Sequence, residues 1–231
     1  MRHFVKTFLR AALVLTMLLL GSPVSFAEDS RPKILVMGDS LMAVNRTLGG
    51  SVAEALEKQL GQKVEDHSLL GARYFYKVPL LAQAGMQISA QYRPGPWDFV
   101  VMNGGGNDLL FGCGCGACTR VMDRLISADG SKGAIPQLVT KLRAGGAEVI
   151  YTGYMRTPGV TSPVESCGPL GDELDRRLAA MAELDGGVTF LLLADLVKKD
   201  GDKSYHGLDL VHPSVKGSRA IAARVADLIG R

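Results

Sequence analysis

Beyond its first 27 residues this sequence predicts an α/β fold: a three-layer α/β/α sandwich around a five-stranded parallel sheet. Three observations predict it. Short, unbroken apolar runs recur along the chain, stretches of helical period separate them, and no low-complexity linker, internal repeat or charge block interrupts the alternation. A strand covered on both faces reads as a continuous apolar run, and strands that alternate with helices return in the same direction, which makes the sheet parallel.

Residues 1–27 stand apart from that pattern. Arg2, Lys6 and Arg10 give a basic start, an uncharged apolar stretch follows, Gly21 to Pro23 break it, and Ser25 and Ala27 supply small residues. This is the grammar of a secretory signal peptide, cut after Ala27. The uncharged stretch 11–27 contains Pro23 and falls short of the roughly 20 residues a membrane span needs, so no stable span is expected after cleavage. The working domain is then 28–231, exported to a periplasm or released.

Within it, strands are predicted over 34–37, 99–102, 149–151 and 188–193, with a less apolar one over 63–68. Helices are predicted over 49–59, 80–91, 135–144 and 172–184. The last helix opens with Pro213 at its first position, carries Ile221, Val225, Leu228 and Ile229 on one face, and stops at Gly230. Of the 26 basic residues, three lie in the signal segment, where no acid occurs, so the exported chain is balanced against its 23 acids. Nucleic-acid binding, which draws most of its affinity from a basic surface, is not expected.

Polar residues gather just after the predicted strands: Gly38-Asp39-Ser40, then Gly71, then Asn103 to Asp108, then Asp209 to His212. In open α/β sheets ligands bind at this carboxyl edge, where the strand order reverses, and were that order the flavodoxin-like 2-1-3-4-5, Ser40 and Asn107 would stand on opposite walls of one crevice. Each group has a plainer reading, as turn or helix cap. Their joint order is what carries the functional one.

The set Gly38-Asp39-Ser40-Leu41, Gly71, Gly105-Gly106-Asn107-Asp108 and Asp209-x-x-His212 resembles the sequence blocks of the SGNH (GDSL-type) hydrolases. The resemblance implies a serine hydrolase that cleaves an oxygen ester through an acyl-enzyme, with no metal or organic cofactor. A serine hydroxyl needs a base to become nucleophilic, and of His67, His206 and His212 only the last has an acid three residues before it, at the family spacing. Asp209 then orients the imidazole. The resemblance further implies an oxyanion hole made by the Ser40 and Gly71 backbone N–H groups and the Asn107 side chain. Asp39 and Asp108 are read as loop-ordering residues.

For substrate contact, Tyr74 is taken to offer aromatic surface and Arg156 to meet an anionic group. The substrate is a small-molecule or polysaccharide ester. The alternatives are an O-acyltransferase on an envelope polysaccharide, using the same residues, and a non-catalytic envelope binding protein. Cys113, Cys115, Cys118 and Cys167 all fall in the exported part, where disulfides are favoured over zinc. The expected bridges lie within the 113–118 cluster or run from it to Cys167, with the tight Cys113 to Cys115 ring disfavoured.

Overall fold

A computed structural model describes residues 33–230. The expected signal peptide lies outside the described residues. Strands β1 (Ile34–Met37), β2 (Glu65–Asp66), β3 (Phe99–Met102), β4 (Glu148–Thr152) and β5 (Val188–Leu191) form one parallel sheet in the order β2-β1-β3-β4-β5. The helices are α1 (Ser40–Ala43), α2 (Val52–Leu60), α3 (Gly106–Cys113), α4 (Thr119–Leu125), α5 (Ala134–Ala144), α6 (Gly168–Ala182) and α7 (Val215–Ile229). None among the described residues is long and apolar enough to cross a membrane.

Successive strand side chains point to opposite faces, so each apolar run serves two cores at once. Leu35, Met37, Val100, Met102 and Tyr151 pack with Leu109, Met122, Leu138 and Leu174 from the layer of α3 to α6. Ile34, Val36, Val101 and Ile150 pack on the other face with Val52 and Leu56 of α2 and Ile221 and Val225 of α7. Most of these side chains are fully buried, each contributing roughly 1.5–3 kcal/mol by removal from water.

Two helices carry clear boundary chemistry. Ser51 caps α2 in a reciprocal capping box with Glu54, and Gly61 ends it in the left-handed region. Ser214 caps α7 by accepting from the Gly217 N–H, so Pro213 precedes the cap and is not the first helical residue. The Pro213 backbone bridges instead to His206.

The helix expected over 80–91 is not continuous. A single turn at Pro79–Leu81 passes into a wide turn at Ala82–Met86 and a tight one at Ile88–Ala90. Gly85 breaks the run at φ 103°, where its carbonyl accepts from the buried Gln91 side chain. Helix α6 starts at Gly168, four residues earlier than expected, with Pro169 in its first turn. The glycine- and cysteine-rich stretch contains α3, and α4 follows it; neither was expected from the pattern.

Candidate active site

The register of β1 on β3 pairs Met37 with Met102, so both strands end level and Gly38 faces Asn103. Gly38 adopts φ 136°, and a Cβ there would collide with the Asn103 side chain, so only glycine allows the turn. Gln91 holds both backbone groups of Gly38: Oε1 accepts from its N–H at 2.6 Å and Nε2 donates to its carbonyl at 2.9 Å. Asp39, buried next in line, caps α1 through the Leu41 N–H at 3.0 Å and also accepts from Asn103 Nδ2 at 2.7 Å and the Tyr154 hydroxyl at 2.6 Å. Burial pushes its carboxyl above the usual range, and the donors pull it back. Ser40 follows as the first residue of α1, where a backbone N–H has no partner within the helix.

Asn107 sits in the first turn of α3. Its Nδ2 donates to the Ala72 carbonyl at 3.1 Å, which fixes the carboxamide and leaves its second N–H uncommitted. Asp108 accepts from the Tyr74 and Phe75 N–H groups, both at 2.9 Å, tying the same loop to α3. Gly71 lies one residue before Ala72 at φ 75° and does not line the cavity described below.

Asp209 Oδ1 accepts from the Val211 and His212 N–H groups at 3.0 Å each, and Oδ2 lies 2.6 Å from His212 Nδ1. Partial burial acts to raise the Asp209 pKa, yet the hydrogen bonds from His212 and Val211 outweigh it and hold the group at about 2. An ionised carboxylate accepts, so the ring proton belongs on Nδ1 and Nε2 is the free lone pair. Among the described residues neither Nε2 nor the Ser40 hydroxyl has a hydrogen-bond partner. His206 is buried, its basicity lowered by that burial, and it does not reach the cavity. His67 pairs with Glu65 and the Gln91 carbonyl, also away from it.

Ser40, Asn107 and His212 line one cavity of about 280 Å³. The Tyr154 ring joins them, its hydroxyl bridging the Asp39 carboxylate to the Gly106 N–H at 3.0 Å. Arg156 is also on the wall, but its guanidinium donates to Asp172, Asp175 and the Tyr154 carbonyl, so its charge is matched within the protein. Asp175 is raised to about 6, burial outweighing the guanidinium beside it.

Tyr74, expected to offer aromatic surface to the substrate, does not line this cavity. Its ring is 4% exposed and fills the core between Gly104 and Tyr151, with the two tyrosine hydroxyls 3.1 Å apart. Asp108 draws the Tyr74 N–H inward and the side chain follows.

Cys113 pairs with Cys118, and Cys115 with Cys167, leaving no free cysteine among the described residues. The second bridge staples the segment between α3 and α4 to the start of α6 and forms part of the cavity wall. Two disulfides fit an exported protein. No three His, Cys, Asp or Glu side chains among the described residues converge to hold a metal ion. Gln91 and Tyr154, which shape the site from behind, escape sequence reasoning because nothing local marks them.

A sequence profile of the GDSL-like lipase/acylhydrolase family matches residues 36–220. Solved structures with the same fold include a GDSL-like lipase from Bacteroides thetaiotaomicron, 16% identical over 95% of this chain and 96% of that one, with a TM-score of 0.60. A carbohydrate acetylesterase from Sinorhizobium meliloti is 17% identical over 87% of this chain and 99% of its own, with a TM-score of 0.55. An acetyl xylan esterase from the rumen bacterium Butyrivibrio proteoclasticus is 15% identical over 90% and 65%, with a TM-score of 0.53. At such identities the likeness is one of fold. No curated protein matches the sequence.

Proposed function

The chain belongs to the GDSL-like lipase/acylhydrolase family, and from that premise we propose that it is a serine hydrolase cleaving an oxygen ester through an acyl-enzyme. One observation carries the reading. The Ser40 hydroxyl and His212 Nε2, both without a hydrogen-bond partner among the described residues, share a cavity with the Asn107 carboxamide, while Asp209 grips the far side of the imidazole at 2.6 Å.

In this reading Ser40 Oγ attacks the acyl carbon as Nε2 takes its proton, and Asp209 stabilises the imidazolium that forms without taking the proton itself. The negative oxygen of the tetrahedral intermediate is met by the unpaired Ser40 N–H at the start of α1 and the second N–H of Asn107 Nδ2. The Gly71 N–H is the third donor, carried on the loop that Asn107 and Asp108 grip at Ala72 to Phe75. Collapse returns the proton through His212 to the leaving alcohol, and water then repeats the cycle on the ester to Ser40. Residues 1–27 act as the cleaved signal peptide in this account, and the enzyme works in a periplasm or outside the cell.

The test is turnover of p-nitrophenyl esters by the purified exported chain, with Ser40→Ala and His212→Ala beside it. Turnover by the natural sequence and its loss in both variants, at unchanged circular dichroism, is the expected result. Full activity in Ser40→Ala removes that residue from the mechanism.

A further inference from the structure

The segment after β2, whose Ala72 carbonyl holds Asn107, bends back on itself. The Arg73 N–H donates to the Met86 carbonyl at 2.9 Å and the Ile88 N–H to the Arg73 carbonyl at 3.0 Å, which closes the chain between them into a loop. Its middle, Lys77-Val78-Pro79-Leu80-Leu81, is exposed at every position, and Leu80 shows 77% of its surface. Nine large apolar side chains are exposed among the described residues, and five of them belong to this segment and the helix beside it: Leu70, Val78, Leu80, Leu81 and, on α3, Phe111. Single apolar side chains scattered over a surface are ordinary, whereas a contiguous group marks an interaction site. Cation–ring contacts join the parts. The Arg73 guanidinium stands 4.8 Å from the Tyr76 ring and 5.6 Å from the Phe111 ring, and that of Arg124 on α4 stands 4.0 Å over the Phe75 ring.

The charge on this face has one sign. No Asp or Glu occurs from His67 to Trp97, while Arg73, Lys77 and Arg93 do. On α3, Asp108 is buried and committed to the Tyr74 and Phe75 N–H groups. On α4, Asp123 pairs with Arg177, and Arg120 lies one turn before Arg124 on the same side of the helix. Lys77, Arg120 and Arg124 form no ion pair among the described residues. The chain beyond residue 27 is balanced overall, so the excess is local.

We propose that this face docks the protein on a bilayer containing anionic phospholipid, with Val78, Leu80 and Leu81 entering the headgroup boundary and Lys77, Arg120 and Arg124 meeting the lipid phosphates. Surfaces of this kind draw their affinity from apolar burial together with attraction to anionic headgroups. The shape favours a bilayer, because side chains that stand out from a surface enter a soft phase, whereas a shaped partner needs a groove to receive it. A second copy of the chain fits less well: a two-fold contact centred here sets Arg73 and Lys77 against their own copies with no acid to meet them. Phe111 also lines the cavity that holds Ser40, so docking brings the mouth of that cavity to the membrane surface. The esterase reading is not needed for this docking, and the test below requires no turnover.

The experiment is co-sedimentation of the purified protein with vesicles of phosphatidylcholine alone and of phosphatidylcholine with about 30% phosphatidylglycerol, at low and at high salt. Partition into the anionic vesicles, weakening as salt rises, is the expected result, with little into phosphatidylcholine alone. A cation at such a surface is worth roughly a fivefold gain, so the charge reversal Lys77→Glu is expected to weaken partition about 25-fold. Leu80→Ser combined with Leu81→Ser withdraws two leucines from the boundary and is expected to weaken it on the order of a hundredfold. All three positions are exposed, so circular dichroism should not change. No partition into anionic vesicles, equal partition into both kinds, or partition that survives both variants overturns the proposal. A dimer in solution that the double serine variant dissociates shows a second copy on this face and overturns it too. Vesicle binding with the expected sensitivities, in a protein that turns over no ester, supports the docking and removes only the esterase reading.

Discussion

Tyr154→Phe removes one oxygen atom that joins the two halves of the site. The hydroxyl donates to Asp39 Oδ2 at 2.6 Å and accepts from the Gly106 N–H at 3.0 Å, so it couples the turn bearing Ser40 to the helix bearing Asn107. Burial, with the negative Asp39 beside it, pushes the phenol well above its ordinary pKa, which keeps the proton in place for donation. Its loss takes a donor from a buried carboxyl, about 1.5–3 kcal/mol, and strands a backbone N–H, about 1–3 kcal/mol more. With partial relaxation, a destabilisation of about 3 kcal/mol is expected, read as a lower urea midpoint at unchanged slope. Catalysis should suffer too, because a displacement of about 1 Å between nucleophile and oxyanion donors costs on the order of a hundredfold. The assay is kcat on a good p-nitrophenyl ester at a temperature where the variant is folded, with KM moving little. A variant within about 0.5 kcal/mol and twofold of the natural protein on both readouts would refute the coupling of Ser40 to Asn107 through this hydroxyl.

Four further outcomes follow from the same geometry. Asn107→Ala should lower kcat by about 100- to 1,000-fold through loss of an oxyanion donor, measured by steady-state kinetics beside an unchanged melting curve. Asp209→Asn should lower kcat by on the order of 10,000-fold, because the ring loses the carboxylate that fixes its tautomer; a fall of less than tenfold would mean the carboxylate is not needed. Replacing Cys115 and Cys167 together by Ala opens a loop with a sequence separation of 52, worth roughly 4 kcal/mol by chain entropy, and denaturant unfolding reads the loss. Asp175 has its pKa raised by burial from 3.8 to about 6, so between those values the folded protein holds a proton that the unfolded chain releases. Stability therefore falls as pH rises through that window, and Asp175→Asn should flatten the slope in unfolding free energies measured from pH 4 to 7.

The parts legible in the sequence are those in which one local signal maps to one physical requirement. Doubly buried strands must be apolar at every position, and so β1, β3 and β4 stand out directly. β2 is reduced to Glu65 and Asp66, an edge strand with few constraints, and the run over 63–68 overstates it. Helix α3 was hidden because the glycines that bring its first turn close to Tyr154 also lower its apparent propensity. The break at Gly85 was hidden for the opposite reason: the apolar spacing over 80–91 is helical, and only a tertiary demand, the Gln91 side chain reaching back to Gly85, reveals why the chain turns there. At the site, Ser40, Asn107 and His212 could be placed on one edge because each follows a strand. The burial of Tyr74 could not be read there, since it depends on Asp108 holding its backbone N–H from another element. Arg156 did reach the cavity, but its partners Asp172 and Asp175 come from a helix the sequence could not dock against it.

The most direct measurement of the central claim is the intact mass of the purified protein after reaction with a fluorophosphonate, followed by peptide mapping. The account predicts one adduct per chain, on Ser40, formed slowly or not at all after His212→Ala and absent after Ser40→Ala. An adduct on any other residue, or an unmodified protein that still hydrolyses esters, would contradict it.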